Sequence, residues 1–147
     1  MARGLHALSP IRPPSRAASR HVSRDGTVKK LVLVIDDDPN ILELIQILLE
    51  SEGHEALLLA SGENVLEVVQ EAHPNLILLD IVLHGQHGME VLAALRETAP
   101  DVPVVLLSGA VSQVSDMPSI ARALGAHDFI EKPFDAQRLI DAVNRAP

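Results

Sequence analysis

Three carboxylates stand side by side at Asp36, Asp37 and Asp38, directly after the apolar run Leu31-Val32-Leu33-Val34-Ile35. Adjacent like charges repel and raise one another's pKa, so something must offset the cost of such a cluster. A hard divalent cation bound by carboxylate oxygens is the simplest candidate. Three further residues share the same address, the end of an apolar run. Asp80 follows Leu76-Ile77-Leu78-Leu79, Ser108 follows the run from Val102 to Leu107, and Lys132 closely follows Phe129-Ile130. Carboxylates can hold Mg2+, while an ammonium and a hydroxyl can hold the oxygens of a phosphoryl group. The set implies phosphoryl transfer, with Asp80 as nucleophile because it stands alone on its own run. Taken singly, each residue has a plain structural explanation as a helix cap, a turn residue, a loop hydroxyl or a surface charge. Their joint placement is what a plain explanation does not cover.

That placement requires particular elements. Leu31–Ile35 is apolar throughout, as a strand buried on both faces of a parallel sheet must be. Pro39 can open a helix with Asp38 as its N-cap. Ile41, Leu44, Ile45 and Leu48 recur at helical spacing, and Gly53 ends the helix. Residues 55–59 read as a second strand. Ser61 is expected to cap a second helix whose apolar face is Val65, Leu66, Val68 and Val69, broken by Pro74-Asn75. The third strand ends in Asp80, and a loop with glycine and histidine leads to a helix from Gly88 to Thr98. Val102 to Leu107 forms a fourth strand, and residues 110–116 a small, polar loop. Asp116 and Pro118 look like the start of a helix that stops at Gly125. Asp128-Phe129-Ile130 is a short fifth strand, and Ala136, Leu139, Ile140 and Val143 mark the last helix. Alternation of five strands with five helices predicts an α/β fold, a parallel sheet with helices on both faces. In such sheets the working residues collect at the carboxyl ends of the strands.

Composition narrows the function classes. With 147 residues and 47% apolar content, the chain suffices for one domain with an aliphatic core. It has no Trp or Tyr and only Phe129 and Phe134 as aromatics, so it lacks stacking platforms for nucleic-acid bases. Cysteine is absent, which excludes disulfide and thiol chemistry, and no apolar run is long enough to span a bilayer. A cytoplasmic protein is expected, with no membrane partner. The net charge of −8 is unevenly spread: residues 1–30 carry seven basic residues against Asp25 alone, and the remainder carries five against 19 acids. So acidic a domain should avoid DNA phosphates. Residues 1–28, rich in Arg, Ser and Pro without apolar periodicity, are expected to be a disordered basic tail, with the folded domain over 29–147. The same composition also resembles an organelle transit peptide.

These residues closely resemble the receiver domain of two-component response regulators, over about 29–146. Leu-Val-Ile-Asp36-Asp37-Asp38-Pro matches the family's opening strand and acidic pair. Leu78-Leu79-Asp80 matches its phosphorylated aspartate, Leu106-Leu107-Ser108-Gly109-Ala110 its Thr/Ser strand, and Lys132-Pro133-Phe134 its Lys-Pro-Phe signature. The resemblance implies a flavodoxin-like doubly wound sheet of order 2-1-3-4-5 and a cis Lys132–Pro133 bond. It implies phosphorylation of Asp80 by a sensor histidine kinase or phosphotransfer protein. It also implies Mg2+ held by Asp37, Asp80 and the Val82 backbone carbonyl, with Asp36 acting through water. Lys132 and Ser108 would bind the phosphoryl oxygens, and Ser108 and Phe129 would form the switch.

Two departures stand out. The family's Met-Pro-Gly-Met-Asp-Gly loop is Leu83-His84-Gly85-Gln86-His87-Gly88 here, without the proline, and the span from Ser108 to Lys132 is lengthened around 110–116. Two other functions compete. Asp36-x-Asp38 at a strand end also fits haloacid-dehalogenase-type phosphohydrolases, but that reading leaves Asp80 without a role. A receiver-like scaffold that binds a partner without phosphorylation would not need the complete acid, Ser and Lys set. Because the sequence stops after its last helix, a single-domain receiver acting by docking is expected, with no DNA-binding domain.

Overall fold

The structure, a computed structural model, describes residues 28–83, 86–109 and 117–147. The basic segment up to residue 27, His84, and the 110–116 loop with Ala110 and Asp116 lie outside the described residues. The main sheet consists of β1 (Leu31–Ile35), β2 (Glu55–Leu59), β3 (Leu76–Asp80), β6 (Val104–Ser108) and β7 (Asp128–Glu131). Between β3 and β6 lies a two-stranded antiparallel hairpin of β4 (Val82–Leu83) and β5 (Gln86–His87). The helices are α1 (Pro39–Ser51), α2 (Val65–Ala72), α3 (Gly88–Thr98), α4 (Met117–Ala123) and α5 (Ala136–Arg145). The main strands run parallel in the order β2-β1-β3-β6-β7, which is the expected 2-1-3-4-5 once the hairpin is set aside.

The central strands are apolar because both their faces are covered. Side chains alternate across a strand. Leu33, Ile35, Ile77 and Leu79 thus join one core with Val68 of α2 and Leu92 and Leu95 of α3. Val32, Val34, Leu76 and Leu78 join the other with Ile45 and Leu49 of α1 and Leu139 and Val143 of α5. Every residue of β3 and β6 is buried.

Local signals set both ends of α1 but not the start of α2. The Asp38 carboxylate accepts the Asn40 N–H at 2.9 Å, as an N-cap should, and Pro39 opens α1. Gly53 follows the helix at φ 86°. Ser61 does not cap α2: its hydroxyl accepts only the Glu63 N–H, and the helix starts later, after Asn64 at φ 63°. The chain turns at the left-handed Asn64 before the helix begins, so the cap-like serine serves that turn. The β6 strand begins at Val104 rather than Val102, because Pro103 has no N–H for the ladder. The expected cis Lys132–Pro133 bond is present.

The amino-proximal end of the domain is closed by Lys30. Its buried ammonium donates to the Val143 and Ala146 carbonyls, both at 2.6 Å, and so caps the end of α5. Its backbone N–H donates to His54 Nδ1 at 3.1 Å, which leaves the His54 proton on Nε2, 3.0 Å from Asn144 Oδ1. At the same end, Arg96 donates to the carbonyls of Ala99, Pro100, Val102 and Gly125. Among the described residues no helix is long and apolar enough to cross a membrane.

Candidate functional site

Parallel strands place their carboxyl ends on one edge, and the residues singled out for their chemistry meet there. Asp36 and Asp37 follow β1, Asp80 ends β3, Ser108 ends β6, and Lys132 follows β7. Asp36, Asp80 and Ser108 are 0%, 5% and 1% exposed. Asp36, Asp37 and Asp80 each offer a carboxylate oxygen within 4.8 Å of the others. The Lys132 ammonium donates to Asp36 Oδ2 at 2.6 Å and to Asp80 Oδ2 at 3.1 Å. Its backbone N–H is anchored on the Ser108 carbonyl, which ties the Lys132 segment to the end of β6.

Each buried acid is also aimed by the backbone. Asp36 Oδ1 accepts the Asp38 N–H at 2.9 Å, and Asp80 Oδ1 accepts the Val82 N–H at 3.1 Å. Burial raises the Asp80 carboxyl above its ordinary range. The Val82 N–H and Lys132 pull it down, the Asp36 charge pushes it up, and the net direction is upward. For Lys132, burial works against the charge, but hydrogen bonds and attraction from Asp36 and Asp80 prevail and raise its pKa. Among the described residues, the site is therefore a group of carboxylates bridged by the Lys132 ammonium. Hard oxygen donors grouped in this way suit Mg2+.

Around this centre, Val82 is 57% exposed and presents an apolar side chain at the rim. Phe129 is buried and packs in the same core as Leu106, its register partner on β6. Sequence reasoning missed the β4–β5 hairpin, in which Val82 pairs with His87 and Leu83 with Gln86. Two residues per strand show no alternation to read; the only hint was Gly85 between two short segments.

The model of the family described as "Response regulator receiver domain" matches residues 32–144. The chain belongs to the response regulator receiver domain family. One relative is the nitrogen assimilation regulatory protein NtrX of Azorhizobium caulinodans, 40% identical over 117 residues, which cover 78% of this chain and 25% of NtrX. Another is the DNA-binding response regulator MtrA of Mycolicibacterium smegmatis, 34% identical over 117 residues, 80% of this chain and 50% of MtrA. Among solved structures, the receiver domain of NtrX from Brucella abortus is 36% identical with a TM-score of 0.71, covering 78% of this chain and 96% of that one. The CheY-like receiver domain protein of Methanospirillum hungatei JF-1 is 28% identical with a TM-score of 0.71, covering 78% of this chain and 90% of that one.

This receiver domain spans a quarter to a half of the length of those curated relatives. MtrA is by name a DNA-binding regulator. The expectation of a partner set with no DNA-binding domain is thereby overturned. It rested on where the sequence stops and on the acidity of the receiver part. Neither bears on what a receiver is joined to, because the charge of one domain does not limit the charge of the next. The hydrolase alternative also falls, since the receiver-domain family covers residues 32–144.

Proposed function

We propose that this receiver is a phosphoacceptor in a two-component phosphorelay, in which Asp80 takes a phosphoryl group from a phosphohistidine of a sensor histidine kinase or phosphotransfer protein. One observation carries the reading: Asp36, Asp37 and Asp80 converge within 4.8 Å while the Lys132 ammonium reaches Asp80 at 3.1 Å. An Asp80 oxygen attacks phosphorus; the new O–P bond forms as the P–N bond breaks, and that electron pair leaves with the donor imidazole. Asp37, Asp80 and the Val82 carbonyl would hold Mg2+, with Asp36 acting through water. When bound, the cation neutralises charge on the phosphoryl oxygens and relieves the repulsion among the carboxylates. Lys132 exchanges its contact with Asp80 for one with a phosphoryl oxygen, and the Ser108 hydroxyl donates to another. Movement of Ser108 with Phe129 then alters a docking surface. The domain itself catalyses both its phosphorylation and the later loss of phosphate to water.

We assign this chemistry to residues 29–147, treat 1–28 as a separate basic segment, and place the protein in the cytoplasm, where a cysteine-free chain needs no oxidising environment. Incubation with acetyl phosphate and Mg2+, followed by intact mass measurement, should show one added phosphoryl group on the wild type and none on Asp80→Asn. Labelling that survives Asp80→Asn but disappears with Asp36→Asn would sink this reading.

A further inference from the structure

The hairpin after Asp80 is closed by the first residue of α3. Gly88 donates its N–H to the Ile81 carbonyl at 2.6 Å. A Cβ built on Gly88 would lie 2.1 Å from the Asp80 carbonyl oxygen, 2.7 Å from Ile81 Cα and 2.8 Å from the Ile81 carbonyl oxygen. All three are backbone atoms, so no side chain can rotate out of the way. Gly88 opens an ordinary α-helix, and its φ is not among the positive values. Its own conformation would accept alanine, which is the better helix former. Only the close approach demands glycine here.

The backbone it touches sits between two groups of the site. On one side is the Asp80 side chain, and on the other is Val82, whose N–H holds Asp80 Oδ1 at 3.1 Å. Val82 is fixed in turn by its pairing with His87, the residue before Gly88. The Asp80–Ile81 peptide cannot shift without carrying both along.

We infer that Gly88 is a positioning residue for the cation end of the site: lacking a side chain, it lets α3 close on the Asp80–Ile81 peptide and so sets the Asp80 carboxylate and the Val82 carbonyl at the spacing one divalent ion needs. This rests on the Mg2+ reading proposed above. Mg2+ tolerates little departure from octahedral geometry, so a small displacement of two donors together weakens it strongly.

The test is calorimetric titration of the unphosphorylated full chain with MgCl2. Gly88→Ala should raise the Mg2+ dissociation constant about tenfold or more, equivalent to ~1.4 kcal/mol. Val91→Ala, which removes packing of α3 in the core without adding an atom at Gly88, should leave it within about twofold. If the wild type binds Mg2+ and Gly88→Ala binds within twofold of it, the role of Gly88 is overturned while the cation reading stands. If the wild type binds none, both are overturned. Should Gly88→Ala not fold, amide resonances of the labelled wild type decide. The Gly88 amide should move during the Mg2+ titration with the same midpoint as Val82, and a stationary Gly88 beside a moving Val82 would refute the coupling.

Discussion

At the scale of single residues, the burial of Asp80 costs stability at neutral pH. Burial raises its carboxyl more than Val82 and Lys132 lower it. The folded state then holds that proton to higher pH than the unfolded chain. Stability from this group is complete below the ordinary carboxylate range and is lost as pH rises through the folded pKa. Without metal at neutral pH, Asp80→Asn should therefore melt a few degrees above the wild type, and the gap should close as pH falls below the ordinary carboxylate range. Lys132 retains Asp36 as partner at 2.6 Å, so the substitution leaves no ammonium stranded. Thermal melts across pH check this; a lower melting point for Asp80→Asn at neutral pH would contradict it. Val82 raises a different question. Its exposed side chain has no hydrogen-bonding group with which to orient an attacking water. Val82→Asn should speed loss of the aspartyl phosphate by roughly tenfold, less than the ~100-fold low end of general acid–base effects because an amide orients water without taking its proton. Mg2+ affinity should barely change, since the cation would meet only the carbonyl. Decay of the phosphorylated form measures the first and calorimetry the second; decay at the wild-type rate would mean the side chain does not face the attacking water.

At the scale of elements, α1 joins the site to one of the two cores. Its start is set by Asp38, whose side chain accepts the Asn40 N–H, while Asp38's own N–H aims Asp36. The two roles use different atoms, and a side-chain substitution separates them. Asp38→Ala should cost about 1 kcal/mol, as lost N-caps do, measured by urea unfolding. Because the backbone N–H to Asp36 survives, phosphorylation by acetyl phosphate should proceed at close to the wild-type rate. A large loss of rate with little loss of stability would instead make the Asp38 carboxylate part of the chemistry.

At the scale of the whole molecule, charge divides the chain. The seven basic residues among the first 30 include Lys29 and Lys30, and only these two lie in the described residues. Lys30 is structural: its ammonium is spent on the end of α5. The composition of residues 1–28, rich in Arg, Ser and Pro without apolar periodicity, does not support a core of its own. Removing residues 1–28 should leave the phosphorylation rate and Mg2+ affinity within about twofold, or ~0.4 kcal/mol in barrier terms. A tenfold loss on truncation would mean that the basic segment docks on the acidic domain.

Much of this was legible in the sequence because it is local or periodic. The run Leu31–Ile35 is apolar at every position, which only a strand covered on both faces requires, and β1 and β2 lie where they were read. Asp38 and Pro39 announce a helix start through nearest-neighbour geometry, and α3 spans Gly88–Thr98 as read. Asp36, Asp37, Asp80, Ser108 and Lys132 could be gathered on one edge from strand ends alone, since parallel strands leave no other arrangement. Contacts between segments distant in sequence were decided only by the fold. Lys30 reads as one more charge of a basic segment until α5 brings two unpaired carbonyls to it. His54 is one of seven histidines until Lys30 and Asn144 take its two nitrogens. The approach of Gly88 to the Asp80 backbone leaves no trace in residue type beyond a glycine, because it depends on where α3 lands against β3. Sequence patterns record which face of an element is covered; tertiary packing settles which atoms come within 3 Å of each other, and at this site those atoms aim the carboxylates.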